Sequence, residues 1–412
     1  MKYGCIGEHL GHSFSREIHS RLSDYKYELR EVERDKLDAF MTERDFIAIN
    51  VTIPYKEMVM PHLHSIDEGA RMIGAVNTVV NRGGLLYGYN TDFYGMSELI
   101  KHAGVEVGGK KVAILGTGGT AKTARAVLTA LGAGEIVTVS RTAKDGIIDY
   151  ATLHSEHTDT EVIVNTTPVG MYRDFDGVPA DISKFPRLSG VIDAVYNPLR
   201  TRLVSDAMAH GIKAEGGLYM LVAQAVRASE IFLDTTYPAG TAERVFREMM
   251  AEKENIVFIG MPACGKTTVS RILARDSWRE VIDTDERIVA EVGVDIPTIF
   301  ANEGEAKFRE YEADVIRRVS QDTGKIIATG GGAILNPDNV ARLKRNGKIY
   351  FIDRSLESLI PTADRPLSST KEAIEKRYNE RYDLYKKHAD VVVDANAPAE
   401  EVAEKISEDF FG

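Results

Sequence analysis

Short apolar runs of strand length recur along the chain, each followed by a longer stretch whose apolar residues return at helical spacing. The runs include FIAINVTI (46–53), KVAILG (111–116), EIVTVS (135–140), EVIVNTT (161–167), GVIDAVY (190–196), NIVFIG (255–260), KIIATGG (325–331) and KIYFIDR (348–354). Strands that alternate with amphipathic helices predict α/β units with largely parallel sheets. One junction is informative. In GTAERVFREMMAEKENIVFIG (240–260), Thr241 is placed to cap a helix with Val245, Phe246, Met249 and Met250 on its apolar face, and a β-type run begins at Ile256. One domain is expected to end in that helix and the next to start almost at once, across a short tether of little flexibility. The terminal APAEEVAEKISEDFFG (397–412) repeats the amphipathic pattern, with Val402, Ile406 and Phe410 on one face, as a helix packed on the last domain.

The chain's 412 residues exceed the size at which one core keeps growing, so two or three domains of about 100–200 residues are expected. Its 62 acidic residues outnumber 51 basic ones, and the net charge of -11 repels nucleic acid and anionic membranes, leaving anion binding to local clusters of Lys and Arg. The two cysteines, Cys5 and Cys264, have no metal-ligand spacing and no disulfide framework, which fits a reducing cytoplasm. No signal-peptide pattern opens the chain, and no apolar run approaches the roughly 18–20 residues that span a bilayer. The expectation is a soluble, cytoplasmic protein acting on small molecules, with its oligomeric state open.

Two nucleotide fingerprints stand far apart. In KKVAILGTGGTAKTARAVLTALGA (110–133), Gly116, Gly118 and Ala121 match the GxGxxA spacing of a dinucleotide turn. Gly116 permits the tight turn, Gly118 lets a pyrophosphate reach the backbone, and Ala121 allows close helix packing; Gly119 and Thr120 complete the phosphate-facing turn. The next strand ends in Ser140, Arg141 and Thr142 where an Asp or Glu would hold a ribose 2′-hydroxyl, which favours NADP over NAD. A glycine turn that binds nothing is the alternative, and strand, turn, helix and basic second strand in register count against it.

The second fingerprint, NIVFIGMPACGKTTVSRILARD (255–276), matches GxxxxGK[ST] with a strand before it and a helix after. Backbone amides from Gly260 through Ala263 and Cys264 to Gly265 can cradle the phosphates of ATP, Lys266 can reach the terminal ones, and Thr267, followed by Thr268, can ligate Mg²⁺. Cys264 reads as a small filler of the loop. Downstream, VIDTDERI carries Asp283 and Asp285, GEAKFREYE carries Phe308 and Arg309, IIATGGGAIL carries Gly330, Gly331 and Gly332, ADRPL carries Arg365, and ERYDLYKKHAD carries Arg381. Two arginines suit one small carboxylate, because the guanidinium fork pairs with it bidentately.

Before the first fingerprint, GHSFSREIH offers Ser13 and Ser15 on a loop, NVTIPYK offers Thr52 and Lys56, GAVNT offers Asn77, and GYNTDFYG offers Asn90 and Asp92. With NTTPVGM at Asn165, DAVYNPLRTRL at Asp193 and GGLYMLVAQA at Gly216, these motifs resemble the shikimate dehydrogenase family over roughly residues 1 to 250. Residues 254 to 412 resemble shikimate kinase. The resemblance implies a substrate-binding domain (1–95 with 218–250), an NADP-binding Rossmann domain (96–217) and a phosphate-loop kinase domain (254–412) of the nucleoside monophosphate kinase type. It further implies NADPH-dependent reduction of 3-dehydroshikimate to shikimate, then ATP-dependent phosphorylation of shikimate.

By the same resemblance, Lys56 and Asp92 are the catalytic pair, and an ammonium held by a carboxylate is placed to protonate a developing alkoxide. Ser13, Ser15, Thr52, Asn77, Asp92, Tyr196 and Gln224 hold the substrate, and Met220 joins the cofactor residues. Gln224 lies in an otherwise apolar helix, where its amide requires a ligand or a buried partner. In the kinase, Asp285 binds the acceptor hydroxyl and takes its proton, and Asp283 positions Mg²⁺ through water. Arg309, Arg381 and the glycine run hold the acceptor, and Arg365 meets the phosphates from a short segment between Pro361 and Lys371. Arg16 and Asp383 stand where each family commonly has Pro. His9, His12 and His19 are assigned no chemistry. Two other readings remain open: a metabolite-sensing regulator with one domain inactive, and quinate as substrate of the first domain.

Overall fold

The apolar runs become strands of three sheets. The computed structural model describes residues 1–10, 13–172, 174–361 and 370–412, and the chain divides into two units, Met1–Met249 and Met250–Gly412. Among the described residues no helix is long and apolar enough to cross a membrane.

The first sheet contains β1 (Tyr3–Gly7), β2 (Tyr27–Glu31), β3 (Ala48–Val51), β4 (Ser65–Ile66), β5 (Thr78–Arg82) and β6 (Leu85–Tyr89), in the order β2-β1-β3-β5-β6-β4. It is mixed rather than parallel throughout, since β5 runs antiparallel to both β3 and β6. The reversal is made by Gly83 and Gly84 at φ +61° and +88°, a two-residue loop with both residues in the left-handed region that matches the twist of a hairpin.

The second sheet contains β7 (Lys111–Leu115), β8 (Glu135–Ser140), β9 (Ile147–Asp149), β10 (Val162–Asn165), β11 (Gly190–Asp193) and β12 (Lys213–Glu215), all parallel, in the order β12-β11-β10-β7-β8-β9. The winding direction reverses at β7, so the turn after β7 opens at the carboxyl edge where such sheets take ligands. In the second unit, β13 (Asn255–Ile259), β14 (Val281–Asp283), β15 (Ile326–Ala328), β16 (Gly347–Asp353) and β17 (Val391–Asp394) form a parallel sheet ordered β14-β15-β13-β16-β17. Its central strands are buried on both faces, with Val257, Phe258, Tyr350 and Phe351 in one core, as parallel strands covered by helices require.

The predicted junction helix spans Thr241–Lys253, with Val245 and Met249 buried. Thr241 does not cap it: its hydroxyl donates to the Pro238 carbonyl at 2.8 Å, and the first turn closes when the Arg244 amide donates to Gly240 at 2.9 Å. Within the second unit, Arg279 donates to the carbonyls of Ala251, Glu252 and Glu254 at the end of this helix, and its guanidinium lies 5.0 Å from the Phe410 ring centroid. One side chain thus donates to carbonyls at the end of the helix and gains a cation–π contact. The terminal helix, Ala399–Phe411, buries Val402 and Ile406 as its pattern predicted.

Candidate active sites

In the first unit, the two predicted catalytic side chains meet. Asp92 opens the helix Asp92–His102, and its Oδ2 accepts from Lys56 Nζ at 2.5 Å. Asn77, at the head of β5, donates through Nδ2 to Asp92 Oδ1 at 2.9 Å, while Asn77 Oδ1 accepts from the Thr91 amide at 2.8 Å. Both carboxylate oxygens are engaged, so the ammonium is held in one place before any substrate arrives.

Lys56, Ser15, Thr52, Asn77 and Gln224 line one cavity. Gln224 reaches it because the helices Asp92–His102 and Leu218–Leu233 approach closely at Gly95, where a Cβ would stand 2.5 Å from Gln224 Cγ and 2.8 Å from the Met220 carbonyl oxygen. Ser13 donates to the Ser15 hydroxyl at 3.0 Å. Ser15 begins the helix Ser15–Ser20 instead of lying on a loop, and Arg16 is exposed on it. Tyr196 packs with its ring 5.4 Å from Phe14 and is not among the cavity's lining residues.

The dinucleotide turn follows β7. Gly116 has φ +111°, and a Cβ there would come within 2.7 Å of Thr166 Oγ1, so only glycine fits. Gly118 and Gly119 have open space where a Cβ would stand. The helix Gly119–Ala130 starts without a side-chain cap, which leaves its first amides available to an anion. Ala121 is buried against the sheet. Ser140 ends β8, and Arg141 and Thr142 follow it, exposed. Beside the turn, Asp193 is buried and accepts from Asn165 Nδ2, the Val195 amide and Thr201 Oγ1, tying the ends of β10 and β11 together; burial pushes its carboxyl up to about 7.

In the second unit a larger cavity brings together Ala263, Gly265, Lys266, Thr267, Thr268, Asp283, Asp285, Arg309, Gly330, Gly331, Gly332 and Arg381. Gly260 and Gly265 take φ +151° and +104°, and Ala263 takes +64°, positive values of the kind that anion-binding loops use. Cys264 lies behind the loop, its Sγ 2.8 Å from where a Gly260 Cβ would be. Lys266 is folded back rather than extended: its Nζ donates to the Gly260 and Met261 carbonyls at 2.9 and 3.0 Å. Thr267 donates to Asp283 Oδ2 at 2.9 Å, and Asp283 also caps the helix Thr284–Val292, which carries Asp285 into the cavity. Arg381 donates to the Gly331 carbonyl at 3.1 Å. Arg365 lies outside the described residues.

Glu312, His19 and Asn50 are polar lining residues to which the sequence assigned no role. Glu312 is 1% exposed, and its Oε2 accepts from Arg309 Nη1 at 2.8 Å. Among the described residues its Oε1 has no hydrogen-bond partner, although a Cβ at Gly330 would lie 2.9 Å from it and 2.5 Å from Asp285 Oδ1. Burial, with a smaller contribution from Asp285, pushes the Glu312 carboxyl up to about 7 against the pull of Arg309. A spacing of three from Arg309 on a helix was the available signal. His19 and Asn50 line the first unit's cavity; the signals were a spacing of four from Ser15 and a lone amide in an apolar strand.

Both units are similar to known proteins. The family model for the shikimate dehydrogenase substrate binding domain matches residues 5–79, and that for shikimate kinase matches residues 262–410. A curated shikimate dehydrogenase (NADP(+)) of Clostridium perfringens is 36% identical over 265 residues, covering 60% of this chain and 97% of that protein. Its counterpart in Clostridium beijerinckii is 37% identical over 245 residues, covering 56% and 91%. Among solved structures, shikimate dehydrogenase 1 from Peptoclostridium difficile is 34% identical with a TM-score of 0.56, covering 60% of this chain and 98% of that one. Shikimate 5-dehydrogenase from Thermus thermophilus, solved with NADP(H) and shikimate, is 28% identical with a TM-score of 0.54, covering 60% and 99%. The chain therefore belongs to the shikimate dehydrogenase family over its first unit and continues into a shikimate kinase domain, which makes it a bifunctional enzyme of the shikimate pathway.

Proposed function

We propose that the first unit reduces 3-dehydroshikimate to shikimate and that the second phosphorylates the hydroxyl so formed. The observation that carries this reading is the convergence, in one cavity, of the phosphate loop with Arg309, Arg381 and Asp285. A phosphate loop alone needs no carboxylate-binding pair opposite it.

In the reduction, NADPH supplies a hydride when bound at the turn after β7. Lys56 donates the proton to the oxygen that becomes the hydroxyl, and Asp92, itself held by Asn77, keeps the ammonium aimed. The paired hydroxyls of Ser13 and Ser15 receive the substrate carboxylate, and Thr52 and Gln224 its ring hydroxyls. Tyr196 and Met220 close the site, and Ser140, Arg141 and Thr142 take the 2′-phosphate.

In the kinase, Lys266 releases the two loop carbonyls to meet ATP, and Asp285 accepts the proton of the acceptor hydroxyl. Arg309 and Arg381 hold its carboxylate, and Arg365 reaches the phosphates. The hydroxyl of Thr267 and the carboxylate of Asp283, 2.9 Å apart, are hard oxygen donors beside the loop. They fit Mg²⁺, which keeps most of its shell as water and phosphate oxygen. Such catalysis rests on positioning and charge. The domain limits that fit this division are 1–95 with 218–250, 96–217 and 254–412. Two free, buried thiols suit a cytoplasmic location.

The test is a coupled assay with the full chain. Supplied with 3-dehydroshikimate, NADPH, ATP and Mg²⁺, it should yield shikimate 3-phosphate. Lys56→Ala should abolish NADPH oxidation and spare phosphorylation of added shikimate, and Lys266→Ala should do the reverse. Near-normal NADPH oxidation by Lys56→Ala would remove the assigned acid, and binding of shikimate without turnover would turn the reading toward a sensor.

A further inference from the structure

The kinase cavity contains a third guanidinium to which the phosphorylation scheme gives no work. Arg377 stands four residues before Arg381 in EKRYNER (375–381), on the helix Lys371–His388, and both line the cavity. A spacing of four puts them on one helix face, the face that buries Ile374, Arg381 and Tyr385. Arg377 Nη1 donates to the Ala373 carbonyl at 2.9 Å, one turn back along its own helix. Its Nε is buried and has no hydrogen-bond partner among the described residues.

Countercharge is shared unevenly among the three arginines. Arg309 already holds two carboxylates: Nη1 donates to Glu312 Oε2 at 2.8 Å and Nη2 to Glu305 Oε1 at 2.9 Å. Arg381 and Arg377 donate to the neutral carbonyls of Gly331 and Ala373, and neither forms an ion pair among the described residues. Burial, then the charges of Arg381 and Arg309, lowers the ionisation of Arg377 against the pull of Glu305 and Glu380. Like charges gathered on one wall without counterions are held there at a cost that an entering anion removes. The four charges that bear most on Arg377 lie on its own helix and on the helix Ile296–Val319, and none belongs to the phosphate loop. An anion that meets Arg377 therefore sits at the acceptor's end of the cavity, away from the nucleotide.

We propose that Arg377 is a specificity-determining residue of the kinase: with Arg381, one turn further along the same helix, it grips the carboxylate of the acceptor. Arg309, whose charge Glu305 and Glu312 offset, adds its contact from the helix Ile296–Val319. Two guanidinium forks free of carboxylate partners match the two oxygens of one acid and favour it over an uncharged polyol of the same shape. The inference rests on the reading of this cavity as the acceptor site.

The experiment measures phosphorylation of shikimate by the full chain with ATP and Mg²⁺. Arg377→Met keeps the unbranched stem and removes the charge, whereas Arg377→Lys keeps the charge and loses the fork. Arg377→Met should raise the KM for shikimate about 10-fold, as for the loss of one charge-assisted contact at a partly exposed site. Arg377→Lys should recover part of that loss, and the KM for ATP should not change. The analogue with a hydroxymethyl group in place of the carboxylate should inhibit wild type and Arg377→Met alike. Equal weakening of shikimate and this analogue, a shift in the KM for ATP, or an unchanged KM for shikimate would each overturn the proposal. The unmodified protein offers a second measurement: shikimate should shield Arg377 from phenylglyoxal, read by peptide mass spectrometry, and labelling that persists at saturating shikimate would refute the assignment. Failure of the underlying reading is separable. A wild-type chain that does not phosphorylate shikimate fails that reading, and a working kinase indifferent to Arg377 fails this inference alone.

Discussion

Glutamine at position 312 should abolish a pH dependence that the kinase unit carries in its core. The Glu312 carboxyl ionises near 4.5 in an unfolded chain and at about 7 when folded, chiefly because burial penalises its charged form. The folded state therefore binds the proton more tightly, so stability is greatest below 4.5 and falls as pH rises through the interval to about 7. At about 1.36 kcal/mol per pH unit of difference, the full loss is about 3 kcal/mol, of which 2–3 kcal/mol falls roughly between pH 5 and 8. The side chain is almost wholly buried, so solvent screening takes little from this figure.

Glu312→Gln keeps the shape and cannot ionise. It also weakens the bond to Arg309 by about 1–3 kcal/mol, an offset that lowers the variant's stability at every pH and adds no pH dependence of its own. The assay is hydrogen exchange of β13 and β16 amides in the full chain, corrected for the intrinsic pH dependence of exchange. Wild type should lose protection relative to the variant as pH rises from 5 to 8. Parallel curves would refute the reasoning, and would mean that Glu312 stays ionised beside Arg309 throughout. The loosened Arg309 should also raise the KM for shikimate, leaving the KM for ATP close to its wild-type value.

Arg141→Ala should raise the KM for NADPH roughly 10- to 100-fold, as for the loss of one charge-assisted contact, and leave the KM for NADH nearly unchanged. A parallel loss for both coenzymes would detach Arg141 from the 2′-phosphate. Gly116→Ala places a Cβ 2.7 Å from Thr166 Oγ1 at φ +111°, at a backbone cost of about 1–2 kcal/mol or more; calorimetry should show a less stable first unit that no longer binds NADPH, with kinase activity intact.

The parallel strands were legible because burial on both faces makes them unbroken apolar runs, as in KVAILG and NIVFIG. The β5–β6 hairpin was not read, although its Gly83-Gly84 pair is a turn signal, because attention to α/β alternation gives adjacent antiparallel strands no place. Strands of two or three residues such as β4 and β12 are too short to show a period. Thr52 and Lys56 of NVTIPYK share one cavity, and Gly265, Lys266 and Thr267 of the phosphate loop share the other, since each contiguous motif carries its own local geometry. Glu312 was hidden among exposed charges on its helix: nothing in GEAKFREYE tells a solvated glutamate from one that is 1% exposed. The contacts of Lys266 with the Gly260 and Met261 carbonyls of its own loop were not legible, because the GxxxxGK[ST] spacing sets the backbone turn and not the side-chain rotamer.

The grip of Arg279 on the end of the junction helix bears on how the two activities could ever be parted. Ala251, Glu252 and Glu254 precede the first strand of the kinase sheet, yet their carbonyls are held by a residue that follows the phosphate-loop helix Lys266–Ser277. A kinase gene begun at the strand itself would encode an arginine whose partners had been left on the other side of the cut. That guanidinium, stacked on Phe410, would then have to find water or distort its neighbours. The fusion is thus written into the kinase as a dependence on a few residues inherited from the reading frame before it, and a freed kinase would keep its stability only by carrying that last helical turn away with it.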